Sequence, residues 1–134
     1  PFRITYTIQY QLKENFNMQT IELQCFQNLD CHGVLVREEF MKKGNFHNPN
    51  GPALKEWTRT SDGVYYLSYE AYYNRGYLHN TVNPDASAII HRNPQGMITD
   101  EEHWFMGKRV DVSHESCNNK IVEIDGKKYQ LKEI

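Results

Sequence analysis

Long apolar runs are missing from this sequence. No stretch approaches the ~20 residues that a membrane-spanning helix needs. The N-terminal PFRITYTIQY alternates rather than forming an apolar signal core. Blocks of like charge are missing too. The 15 basic and 17 acidic side chains leave a net charge of −2, without the broad basic surface on which nonspecific nucleic-acid binding rests. Cysteine is scarce: Cys25, Cys31 and Cys117 cannot all pair. An odd thiol count favours a reducing compartment. The expectation is a soluble cytoplasmic protein, with no membrane partner and nucleic acid disfavoured.

Organised catalytic motifs are also absent. There is no G-x-S-x-G elbow, no P-loop and no dinucleotide fingerprint. Ser113-His114 is an adjacent pair without an orienting acid at recognisable spacing. Structural zinc normally uses two close Cys/His pairs. Cys31 and His32 are neighbours that a strand would point to opposite faces, and HESC supplies one spaced pair, His114 and Cys117. No cofactor and no metal is implied. The acidic runs Glu38-Glu39 and Asp100-Glu101-Glu102 read as solvated strand ends.

What is present is alternation and repetition. At 134 residues the chain reads as one domain. Ile4, Tyr6, Ile8, Tyr10 and Leu12 fall on one face of a strand, and Ile21, Leu23 and Cys25 resume the pattern after KENFN. Residues 1–27 therefore form an N-terminal hairpin. Residues 28–112 are a tandem array. Gly44 and Gly76 are 76 − 44 = 32 apart, as are His47 and His79. Glu38, Glu70 and Glu102 keep the same step, which aligns Phe40 with Tyr72 and Trp104, and Met41 with Tyr73 and Phe105. In this alignment the third copy lacks one residue before Gly107. Turn glycines Gly33, Gly63 and Gly96 precede the copies. Each unit holds about two strands, and stacked units bury what single hairpins cannot. Residues 113–134 form a C-terminal hairpin around Asp125-Gly126. The fold class is all-β, a twisted antiparallel sheet of tandem hairpin repeats. No confident helix is expected, though ITDEEHWF (98–105) suits one short turn.

GNFHNPNGPA and the looser GYLHNTVNPDASA carry a resemblance. The motif resembles tandem G-x-x-H-x-x-(D/N)-G-P-A hairpin repeats, MORN-like, in bacteriophage and bacterial proteins. The resemblance covers roughly residues 30–112 and implies architecture; it assigns no activity. It suggests a phage accessory protein.

Functional candidates follow from the turns and the aromatics. Repetition of His47-Asn48 and His79-Asn80 favours a structural role within their turns. The functional alternative presents these residues to a polar or phosphate-bearing ligand. His79, Asn83 and His91 distantly suggest an HNH nuclease set, but that motif expects a helix where the repeat places a strand. Tyr65, Tyr66, Tyr69, Tyr72, Tyr73 and Tyr77 divide between a core face and an exposed face able to stack a base. The binding set expected is His47, Asn48, Tyr73, Arg75, His79, Asn80 and Arg92. The leading reading is a non-catalytic binder, an inhibitor of a host protein or a sequesterer of a small nucleotide. A phosphodiester-cleaving enzyme is the alternative. Self-association through open sheet edges, giving a homo-oligomer, is a third class.

Overall fold

The computed structural model describes residues 2–14, 17–111, 120–124 and 127–131. Two long strands begin the chain, β1 (Phe2–Glu14) and β2 (Asn17–Leu29), paired in full antiparallel register from Phe2↔Leu29 to Glu14↔Asn17. β3 (Leu35–Lys42) returns against β2. The chain then makes a two-residue hairpin into β4 (Asn45–Phe46) before β5 (Leu54–Arg59) rejoins β3. β6 (Tyr65–Ala71), the small pair β7 (Tyr73–Asn74) and β8 (Tyr77–Leu78), and β9 (Ile89–Arg92) repeat the pattern. β10 (Ile98–Phe105) and β11 (Lys108–Val110) start it a third time. The sheet runs β1-β2-β3-β5-β6-β9-β10-β11, and β12 (Lys120–Ile124) with β13 (Lys127–Leu131) forms a separate two-stranded hairpin. The fold is all-β and antiparallel throughout, and the large sheet is not closed into a barrel.

Two kinds of turn alternate. The wider turns begin at Asp30, Thr60 and Asn93, whose side-chain oxygens accept the N–H groups of Val34, Val64 and Met97. Each carries a glycine with positive φ at Gly33, Gly63 and Gly96. The tight turns pair a left-handed non-glycine with a left-handed glycine: Lys43-Gly44, Arg75-Gly76 and Met106-Gly107. Two consecutive positive φ values define the type I′ hairpin, whose twist matches that of the flanking strands.

The repeat register departs from the alignment on the three glutamates. Ala53 N–H bonds to Ala71 O, and the matching bond from Ala88 goes to Glu102 O. The pairs Met41↔Phe46, Tyr73↔Leu78 and Trp104↔Arg109 occupy the same place in the three units. The equivalents are therefore Met41, Tyr73 and Trp104. Phe40 and Tyr72 remain equivalent, since their N–H groups bond to Ala53 O and Ala88 O. Trp104 does not join them. The irregularity of β10 between Ile98 and Asp100 recurs in β6 between Leu67 and Tyr69 and in β3 between Leu35 and Arg37, so it is common to the units. The missing residue falls in the connections, since the β9–β10 hairpin turns from Arg92 to Ile98 where β5–β6 runs from Trp57 to Leu67. Residues 98–105 are strand, not a helical turn, because the ladder to β9 decides their backbone.

Two apolar clusters sit along the sheet. Leu23, Cys25 and Phe40 pack with Ile8 and Ile21. Leu54, Ala71 and Ile89 lie side by side on successive strands, packed by Phe46, Tyr69, Tyr73, Leu78 and Trp104. Ala53, Ala71 and Ala88 are fully buried. Cys25 is buried and free, and its thiol is pushed up by desolvation; Cys31 is exposed and free, and Cys117 lies outside the described residues. Among the described residues, no helix is long and apolar enough to cross a membrane.

Candidate functional site

The His-Asn turns hold the repeats to one another. His47 N–H bonds to Phe40 O, and His79 N–H to Tyr72 O, so each histidine is fixed within its own unit. The rings act on the next unit. Nδ1 of His47 accepts the Arg75 N–H at 3.0 Å, and Nδ1 of His79 accepts the Met106 N–H at 3.3 Å. Beside them, Gly76 N–H bonds to Phe46 O and Gly107 N–H to Leu78 O. Each histidine therefore fastens the tight turn that follows it.

The asparagines work locally. Asn48 Nδ2 donates to Pro52 O while its Oδ1 accepts from Asn50 N–H; Asn80 donates to Ser87 O and accepts from Val82 and Asn83. At 5% and 4% exposure, both have their amides committed to shaping loops. These loops also touch the neighbouring unit, since the Thr81 hydroxyl donates to Asn48 O.

Fastening the turns in series builds a cleft of about 570 Å³. One lip is β2, at Gln19, Thr20 and Ile21. The other walls are Lys42 and His47 from the first unit, and Asn74, Arg75, His79 and Thr81 from the second. An imidazole whose Nδ1 accepts a hydrogen bond carries its proton on Nε2 when neutral. Each ring's remaining nitrogen is therefore a donor. Burial holds the His47 imidazole below the ordinary histidine range, and Lys42 and Arg75 push it the same way. No Asp or Glu lines this cleft among the described residues. Its polar lining offers cationic and neutral hydrogen-bond donors.

The expected binding set is thus divided. His47, Arg75 and His79 line one cleft. Asn48 and Asn80 lie beneath, shaping the loops. Tyr73, expected on an exposed face, packs in the core with its ring 5.0 Å from that of Phe46. The two-residue β7 turns it inward against the cluster of Leu54, Ala71 and Ile89. Arg92 is paired with Glu70, a buried carboxylate on the adjacent strand. Lys42 is the lining cation that sequence reasoning missed. Its signal is its place directly before the Lys43-Gly44 turn, the position Asn74 holds in the next unit.

His91 lies outside the cleft. It pairs with Asp100 across β9 and β10, and His91, Asp100 and Glu102 bring their ligand atoms within 4.8 Å of one another. These are the residues among those described that could hold a metal ion.

No family model, curated protein or solved structure matches the chain.

Proposed function

We propose that this protein is a non-catalytic binder that takes a phosphate-bearing small ligand, a nucleotide, in the cleft between β2 and the stacked tight turns. One observation carries the reading: two histidines from successive units and the cations Lys42 and Arg75 converge on a cleft that, among the described residues, no carboxylate lines. Imidazole N–H, ammonium and guanidinium donors form charge-assisted bonds to phosphate oxygens. The same chemistry speaks against phosphodiester cleavage there. A general base needs a nitrogen lone pair toward the substrate, and both Nδ1 lone pairs are already given to backbone N–H groups. The arrays the motif resembles occur in phage and bacterial proteins, where a small stoichiometric binder would act by withholding a nucleotide from a host protein.

The test is calorimetric titration of the protein with ATP, AMP and inorganic phosphate, followed by chromatography of the recovered nucleotide. Saturable one-to-one binding is expected, weakened about tenfold or more by Lys42→Glu, with the nucleotide recovered intact. Consumption of nucleotide by substoichiometric protein, or affinity indifferent to Lys42→Glu, overturns the reading.

A further inference from the structure

We infer that His91, Asp100 and Glu102 form a binding site for one first-row divalent cation of the zinc or manganese type, separate from the cleft. The three side chains project from one face of two adjacent strands. Asp100 stands directly opposite His91, and Glu102 follows two residues along β10. Residues two apart on a strand share a face. Their donor atoms, one imidazole nitrogen and a carboxylate oxygen from each acid, already lie within 4.8 Å of one another. One nitrogen and two oxygens suit a borderline divalent ion, and three protein ligands leave coordination positions for water.

The repeat itself provides an independent comparison. The strand pair that repeats β9–β10 one unit earlier is β5–β6, where Glu56 stands opposite Tyr69 and Ala71 follows two residues along β6. By the register of the ladder, Glu56 corresponds to His91, Tyr69 to Asp100 and Ala71 to Glu102. There the single carboxylate is paired with Arg37 at 2.5 Å. At β9–β10 the phenol and the methyl have become carboxylates and the carboxylate an imidazole. Two acids thus lie side by side on one strand face, next to an imidazole, at positions that hold one paired carboxylate in the preceding unit. Arg109 approaches Glu102 at 3.7 Å, but its side chain is 60% exposed. A divalent cation supplies the charge that balances the two acids.

Outer contacts hold two of the ligands in place. The His91 ring meets Tyr69 edge-on at 5.0 Å between centroids, and Trp104 Nε1 donates to Glu102 at 3.3 Å. Such contacts orient metal ligands in established sites. The irregularity between Ile98 and Asp100 sets Asp100 opposite His91, and bulges commonly re-aim a side chain in this way. Asp100 is exposed, which leaves an entry path.

The experiment uses the full chain, stripped with chelator and carrying Cys31→Ser so that the exposed thiol does not compete. Zinc chloride is titrated calorimetrically, and Mn²⁺ is added to a labelled sample to record which amide resonances broaden. One saturable zinc site is expected, with Asp100→Asn and His91→Gln each weakening it by at least on the order of tenfold. Broadening should concentrate on β9 and β10. Asp100→Asn alters an exposed side chain, so it decides the matter even if His91→Gln fails to fold. Zinc affinity unchanged in Asp100→Asn, no saturable uptake, or broadening scattered over the acidic surface each overturns the site. None of these results bears on nucleotide binding in the cleft.

Discussion

His47 and Arg75 belong to successive repeats, and the imidazole Nδ1 of one accepts the backbone N–H of the other at 3.0 Å. Arg75 opens a type I′ turn, so its N–H has no partner in its own hairpin ladder. His47 is 6% exposed, so water substitutes poorly once the ring is gone. Leaving a buried donor unpaired costs about 1–3 kcal/mol. His47→Ala should lower stability by that amount in urea unfolding.

The same buried histidine makes stability depend on pH. The folded protein holds His47 below its ordinary range, chiefly through burial and then through Lys42 and Arg75. The unfolded chain has the ordinary value of about 6.5. As pH falls below that, the unfolded state takes up the proton first, and stability declines with it. The contribution is fully present above about pH 6.5 and is lost as pH falls through the lower folded value. Urea midpoints measured from pH 8 to pH 5 should show this decline, and His47→Ala should flatten part of it. An unchanged slope in the variant would show that other groups carry the pH dependence.

Tyr73→Ala separates packing from binding. The ring packs against the Leu54, Ala71 and Ile89 cluster beside Phe46, and burial pushes its phenol pKa up. Truncating a large aromatic in a core costs about 3–5 kcal/mol. A half-buried ring belongs near the lower end, about 3 kcal/mol. Thermal unfolding should register the full loss. A wild-type melting temperature with lost ligand affinity would return Tyr73 to the surface role that its tyrosine-rich neighbourhood suggests.

Local signals in the sequence correspond to local structure. The alternation in Arg3 to Leu12 became β1, and Gly33, Gly63 and Gly96 fall at turns because each adopts positive φ. The 32-residue step of His47 and His79 is a real equivalence, since both make the same bonds. Long-range pairing was harder to read. Glu38, Glu70 and Glu102 keep a fixed spacing, yet the hydrogen bonds of Ala53 and Ala88 make Ala71, not Glu70, the equivalent of Glu102. Connections of unequal length between units offset one another, and that leaves no mark in composition. Partners of charged residues were equally hidden: nothing near Arg92 announces Glu70, which is distant in sequence and adjacent in the sheet. The cleft needs three separate segments to meet, and only the repeat's two contributions were visible.

The tight turns should respond in opposite directions to two substitutions. Lys43 adopts φ 50 with an ordinary side chain. The left-handed region costs such residues roughly 1–2 kcal/mol, and asparagine tolerates it better. Lys43→Asn creates the preferred Asn-Gly turn and should stabilise by about 0.5–1 kcal/mol. Gly107 has φ 83, and an added Cβ would meet Tyr77 Cδ1 at 2.9 Å. Gly107→Ala should destabilise by about 1–2 kcal/mol from the backbone alone. Paired denaturation curves check both. A destabilised Lys43→Asn would mean that the lysine side chain itself supports the turn.

Arg92 and Lys42 divide the cations by role. Arg92 is partnered by Glu70, whose side chain is 11% exposed. Removing one member of such a pair strands the other charge, at a cost of about 3 kcal/mol where the site is well buried. Arg92→Met should therefore lower the urea midpoint while leaving ATP affinity close to wild type. Lys42→Glu should do the reverse: it places a negative charge on a cleft that no carboxylate lines among the described residues, while its own site is only half-buried. Calorimetric titration and urea unfolding on the same two preparations give all four numbers. If Arg92→Met weakens ATP as strongly as Lys42→Glu does, the ligand reaches across the sheet to β9. The anion site would then extend beyond the cleft between β2 and the turns.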